Sequence, residues 1–175
     1  MGSDDSRLAP PLVKRTTLIV RDLAKSLAFY RDILGMTVWY DDVITLSGVG
    51  LAAGAQGDAT RLVIMRADDP LLGMIGLLEF TEPRLPEPPL RQRLGIGDIV
   101  FVMQGTAVAE VHRRAMACGA RIHAAPHRFE VRGADGRMIA MTSLSLWDPD
   151  GFFIEYNQRE CTGWATCPAI SKQRR

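Results

Sequence analysis

The stretch VKRTTLIVRDLAKSLAFYRDILGMTVWYDD (residues 13–42) reads as strand, helix and strand joined by two tight connections. RTTLIV alternates as a strand does, and Asp22 stands where a helix N-cap belongs. In LAKSLAFYRDILG, Leu23, Leu27, Tyr30 and Leu34 recur at helical spacing, and Gly35 supplies the stop. MTVWYDD returns to strand through its Val, Trp and Tyr content. Alternation along the first strand sends Leu18 and Val20 toward the helix and Arg15, Thr17 and Ile19 to the opposite face. An arginine therefore opens the strand on the face away from the helix.

Outward from this stretch, TRLVIMRA and MIGLLEFTE add two strands and complete a βαβββ order at Pro83. The Gly-rich ITLSGVGLAAGAQGD before them is an extra strand or a loop. It lacks the lysine and the strand–turn–helix frame of a phosphate loop, so it reads as a flexible rim. A Pro-rich linker, PRLPEPPLRQRLGIG, follows, and then the order repeats. GDIVFVMQ is a strand, and TAVAEVHRRAMACGA is a helix with Val108, Val111, Ala115 and Met116 on one side and Gly119 at its end. RIHAAPHRFEV, MIAMTSLSLWD and FFIEYNQ are three strands, with the turn DPDG (residues 148–151) before the last. Internal duplication at this length indicates an α+β chain of two βαβββ modules. Its expected divisions are a flexible tail at 1–13, modules at 14–84 and 96–160, a linker at 85–95 and a tail at 161–175.

The 175 residues suffice for a buried core. Hydrophobic residues at 47%, charged residues at 23% and a net charge of +1 describe a globular chain with no basic face for nucleic acid. No apolar run reaches the length of a membrane span, and MGSDDSRLAPPL does not resemble a signal peptide. Cys118, Cys161 and Cys167 lack zinc-type spacing and read as reduced thiols, which places the chain in the cytoplasm. A Cys161–Cys167 disulfide is the alternative, and Cys118, near a helix end, reads as packing.

Aligning RTTLIVRD with DIVFVMQG pairs Arg15 with Asp98, and aligning LLEFTE with FIEYNQ pairs Glu79 with Glu155. Ile99, Phe101 and Met103 then face the second helix, leaving Asp98, Val100 and Val102 opposite. Leu78 and Phe80, like Ile154 and Tyr156, face the helices, and the two glutamates face away. Four ionisable side chains are thereby expected on one kind of face, at matched positions.

Three motifs in order, VRDLAKSLAFYRDILGM (20–36), LLEFTEP (77–83) and LWDPDGFFIEYNQ (146–158), resemble the vicinal oxygen chelate superfamily of glyoxalases, bleomycin-resistance proteins and extradiol dioxygenases. The resemblance spans about residues 14–160. It implies two βαβββ modules forming a cupped, mostly antiparallel mixed sheet with helices outside, and a homodimer. Metal-using members carry ligands on the first and last strands of each module, commonly His, Glu, His and Glu. The matching positions here are Arg15, Glu79, Asp98 and Glu155, so both histidines are replaced.

A guanidinium has donors but no lone pair to offer a cation. A His/Glu-type metal site is therefore not expected. If a hard cation such as Mg²⁺, Mn²⁺ or Ca²⁺ is held, its ligands would be Glu79, Asp98 and Glu155. Two functional readings stand side by side. In one, an enzyme of lyase, isomerase or oxygenase type acts on a small oxygenated organic molecule, with Glu155 or Glu79 as acid–base groups, Arg15 as anion clamp and Asp98 as its partner. In the other, a metal-free protein binds or sequesters a small molecule without turnover. A third reading makes the four residues a structural ion-pair network. Trp39 and Met141 are the apolar contacts to substrate proposed by their place on the strands, against the ordinary reading of such residues as core. His123 and His127, four apart on a strand, would sit roughly 13 Å apart and do not form a metal pair. His112, beside Arg113 and Arg114, reads as exposed.

Overall fold

The computed structural model describes residues 9–160. The chain divides at Pro88/Pro89 into two compact units. No helix among the described residues is long and apolar enough to cross a membrane. The Cys161–Cys167 pair lies outside the described residues.

In the first unit, β1 (Arg15–Val20) leads into α1 (Leu23–Ala28), whose last stretch widens into a π-helical turn over Phe29–Ile33. Then come β2 (Thr37–Thr45), β3 (Ala59–Arg66) and β4 (Met74–Glu82), in the sheet order β1-β4-β3-β2 with β1 and β4 parallel. Asp22 caps α1 by accepting from the Lys25 backbone N–H at 3.0 Å. That bond holds the Asp22 carboxyl below its usual range. The wide turn adds a residue to the helix face, so Phe29 and Tyr30 are both buried along with Leu23, Ser26 and Ile33. Leu27 and Leu34, expected on that face, are only partly buried.

The second unit repeats the order with β5 (Val100–Gly105), α2 (Val108–Ala117), β6 (Ile122–Arg132), β7 (Met138–Trp147) and β8 (Phe153–Arg159). Its sheet runs β5-β8-β7-β6 with β5 and β8 parallel. Ala107 offers α2 no side-chain cap, and Gln158 of β8 accepts from the Val108 N–H at 2.9 Å instead. Val108, Val111 and Ala115 are buried, whereas Met116 and Cys118, both expected in the packing, are exposed. In the DPDG turn the Asp148 carboxylate accepts from the N–H groups of Asp150 and Phe152, and Gly151 takes a φ of 90°.

Both faces of the first unit's sheet are covered. Beneath the helix lie Leu18, Val20, Val63, Met65, Ile75 and Leu77, all nearly or fully buried. On the other face Leu62, Ile64, Met74, Leu78 and Phe80 form a second core cluster, against which Tyr40, Ile44, Leu46, Ala53 and Leu85 pack. Leu46 and Ala53 of the Gly-rich segment contribute to this cover, while Val49 and most residues around it are exposed, as a rim would be. The segment is closed on itself by the Leu46 N–H to the Asp58 carbonyl at 2.9 Å and the Ala55 N–H to the Asp58 carboxylate at 2.7 Å. At Gly54 a Cβ would come within 2.5 Å of the Phe80 ring, and φ is +69°. Only glycine meets both conditions.

Candidate functional site

The parallel pairing within each unit fixes which residues share a face. In the second unit Val102 pairs with Glu155 and Ser145 lies opposite Glu155 on the other side, while Ser143 is opposite Asn157. Gln158, which caps α2, belongs to the same face as Ile154 and Tyr156, so Glu155 and Asn157 project from the face away from the helix. In the first unit the partner of Ile19 is Leu78, and Glu79 pairs with Val20 and Arg61. Glu79 therefore projects on the helix face, opposite to the expectation from motif alignment. Arg15, paired with Met74, is on the other face and five residues down β1 from Glu79's partner, a separation of roughly 16 Å along the strand. Counted from the first pair of each parallel ladder, the first-unit counterpart of Glu155 is Gly76 and that of Asn157 is Leu78.

Asp98 also departs from its expected place. It precedes β5, in a turn where its carboxylate pairs with Arg91 and accepts from the Gly95 N–H at 2.7 Å. Arg121 donates to the Arg91 carbonyl at 2.8 Å and lies over the Trp147 ring at 4.5 Å. Asp98 thus fastens the chain after Pro89 onto the second unit's own sheet. Ile99, expected under α2, is half exposed.

For the divalent metal that the resemblance implies, the donor set does not fit. Glu79 and Arg15 occupy opposite faces, Asp98 is engaged by Arg91 and Gly95, and no three His, Cys, Asp or Glu side chains gather among the described residues. Within the second unit, Asp98 is tied to the turn before β5 while Glu155 accepts from Asn157 on β8, so the two expected oxygen ligands are engaged separately. His123 packs on Phe153 and His127 on Phe129, with bulges around Pro126 separating them.

What the second unit does assemble is a polar island on β7 and β8. Ser143, Ser145 and Asn157 are each less than a tenth exposed, and Glu155 is partly exposed. Asn157 donates through Nδ2 to Glu155 Oε1 at 2.8 Å, while its own Oδ1 is buried with no partner among the described residues. Buried polar groups cost stability unless paired, so an island of them on a sheet face is retained at a cost. Around the one ionisable member stand Val100, Val102 and Phe153, apolar and at least partly exposed. Met141 shares this face, four residues from Ser145 along β7. Ser143, Ser145 and Asn157 were not singled out from the sequence. Their signal was the alternation Ser-Leu-Ser-Leu opposite Glu-Tyr-Asn, which by itself reads as a solvent-facing pattern.

In the first unit, Arg15 and Trp39 come together at a cleft of about 480 Å³ that is also lined by Leu12, Val13, Lys14 and Met74. Trp39 sits at a bulge in β2, where the register slips between Val38 and Tyr40.

Residues 12–156 match the family model described as Glyoxalase/Bleomycin resistance protein/Dioxygenase superfamily. Among solved structures, a glyoxalase family protein from Bacillus cereus aligns with a TM-score of 0.65 at 14% identity, covering 92% of this chain and 100% of that one. A trypanothione-dependent glyoxalase I from Leishmania major aligns with a TM-score of 0.53 at 17% identity, covering 85% of this chain and 87% of that one. At such identities these two likenesses speak for the fold alone. No curated protein matches the chain. With the duplicated βαβββ order and a family match over most of its length, the chain belongs to the glyoxalase/bleomycin resistance protein/dioxygenase superfamily.

Proposed function

We propose that the protein is an enzyme acting on a small oxygenated organic molecule at the second unit's sheet face away from α2, with Glu155 as its acid–base group. The carrying observation is the Glu155–Asn157 hydrogen bond within an otherwise buried polar island. Asn157 holds one carboxylate oxygen, which fixes the group and leaves the other oxygen to take a proton from a carbon acid or hydroxyl. Val100, Val102 and Phe153 supply the apolar walls that a small-molecule site needs beside a few polar anchors. Arg15, expected as an anion clamp, belongs to the first unit's cleft with Trp39 and is not part of this reading. Glu79, on the helix face beside Arg61, has no part in this reading. A homodimer in the cytoplasm, of lyase or isomerase type and with no nucleic-acid or membrane partner, completes the proposal.

The test is solvent deuterium wash-in at the α-carbon of small hydroxyketones such as dihydroxyacetone, followed by proton NMR. Exchange above the buffer rate is expected, falling about a hundredfold or more in Glu155→Gln while ligand-induced shifts persist. Binding without exchange in the wild-type protein would overturn the enzyme reading in favour of a protein that returns its ligand unchanged.

A further inference from the structure

We propose that the cleft of the first unit binds the carboxylate of a small aromatic acid. Its lining carries two consecutive cations, Lys14 and Arg15, and no carboxylate. The rest is apolar: Leu12, Val13, the nearly buried Met74 and the half-exposed indole of Trp39. A cationic cleft with no acid in its wall is matched by a ligand that brings the anion. The guanidinium's paired donors fit the two oxygens of a carboxylate, and Lys14 adds a point charge.

The aromatic body follows from the apolar part of the lining. Trp39 is held by the β2 bulge, so its ring is exposed at a fixed place in the strand, ready to stack or meet a ring edge. Phosphate or a short aliphatic acid would use the cations and leave this apolar surface uncovered. Gly76 supplies the room for Arg15. A Cβ there would lie 3.3 Å from Arg15 Cδ and 2.8 Å from the Thr17 hydroxyl, so the arginine stem lies along the sheet surface over a glycine. A cleft of about 480 Å³ is within the range of small-ligand sites and accommodates one substituted ring. The inference stands on the first unit alone and does not depend on Glu155.

The probe is benzoate, compared with neutral benzamide and with acetate, titrated into the full chain by calorimetry. Benzoate is expected to bind at about 1 mM or below, and benzamide and acetate at least several-fold more weakly. Arg15→Gln should weaken benzoate about tenfold, and Lys14→Gln by less. Trp39→Leu should erase most of the advantage of benzoate over acetate. Glu155→Gln should leave benzoate binding unchanged, which separates this site from the acid–base proposal. Both variants at Arg15 and Lys14 replace exposed side chains, so unchanged far-UV circular dichroism is expected of them. Benzoate binding no better than benzamide, or equal in wild type and Arg15→Gln, overturns the proposal.

Discussion

The same four sheet positions are filled in opposite ways in the two units. On the face away from the helix, the first unit carries Leu62, Ile64, Gly76 and Leu78. The second carries Ser143, Ser145, Asn157 and Glu155 at the matching points of its ladder. Three apolar side chains and a glycine stand where the second unit has four polar groups. In the first unit Tyr40, Ile44, Leu46, Ala53 and Leu85 pack over this face, and in the second its polar groups are kept. The difference teaches that one copy has an apolar core where the other keeps a polar set at some cost in stability.

The hardest way to break that contrast is to put an acid into the first unit's apolar set. Leu78→Glu would put a carboxylate among Leu62, Ile64, Met74 and Phe80, with no cation beside it in that cluster. The expected loss of stability is about 4 kcal/mol, since the variant both removes an apolar side chain and buries an unpaired charge. Urea unfolding read by circular dichroism measures it. A loss under about 1 kcal/mol would mean that the residues packed over this face do not seal it.

A smaller contrast lies in the helix starts. Asp22 caps α1 with a titratable group, and Gln158 caps α2 with one that does not titrate. Asp22→Ala and Gln158→Ala should each cost about 1 kcal/mol near neutral pH. Their pH dependence should differ. The Asp22 carboxyl is held below its ordinary 3.8 in the folded chain, so its contribution is complete above that value and is lost as pH falls through the lowered one. Acid titration of stability should therefore bring wild type and Asp22→Ala together below pH 3.8, while the Gln158→Ala difference stays flat. Parallel curves for both variants would remove Asp22 as a charged cap.

The duplicated βαβββ order, the Asp22 cap and the DPDG turn were legible because each rests on local chemistry, whether helical spacing, a capping oxygen or a glycine with positive φ. The face of Glu79 was not. In Met74-Ile75-Gly76-Leu77-Leu78-Glu79-Phe80 both alternate sets are apolar, because the helix and the residues packed over the other face bury one each. A period of two selects a register only where one face is wet. In the second unit, Ile154 and Tyr156 against Glu155 and Asn157 leave no ambiguity, and the expected faces hold. Asp98 was misplaced for another reason. Its partners, Arg91 and the Gly95 N–H, lie in the linker, where no periodicity announces a contact. The candidate site was half legible: Glu155 was named, but the burial of Ser143, Ser145 and Asn157 is a tertiary fact.

The finest test reverses the first one, giving the second unit the apolar character of its twin. Glu155→Leu alone leaves the Asn157 amide without its acceptor in a buried setting, which should cost about 1–3 kcal/mol. Adding Asn157→Leu removes the orphan as well. The double variant is expected to be more stable than the single one and to return to within about 1 kcal/mol of wild type, because paired polar groups exchanged together for apolar ones are close to neutral. Denaturant midpoints for the two singles and the double form the cycle. Strictly additive losses would mean that the pair does not act as a unit on this face. Recovery in the double, with function gone, would mean that the fold has no need of the pair, so that its retention in one copy and not the other is explained by what Glu155 does to a ligand.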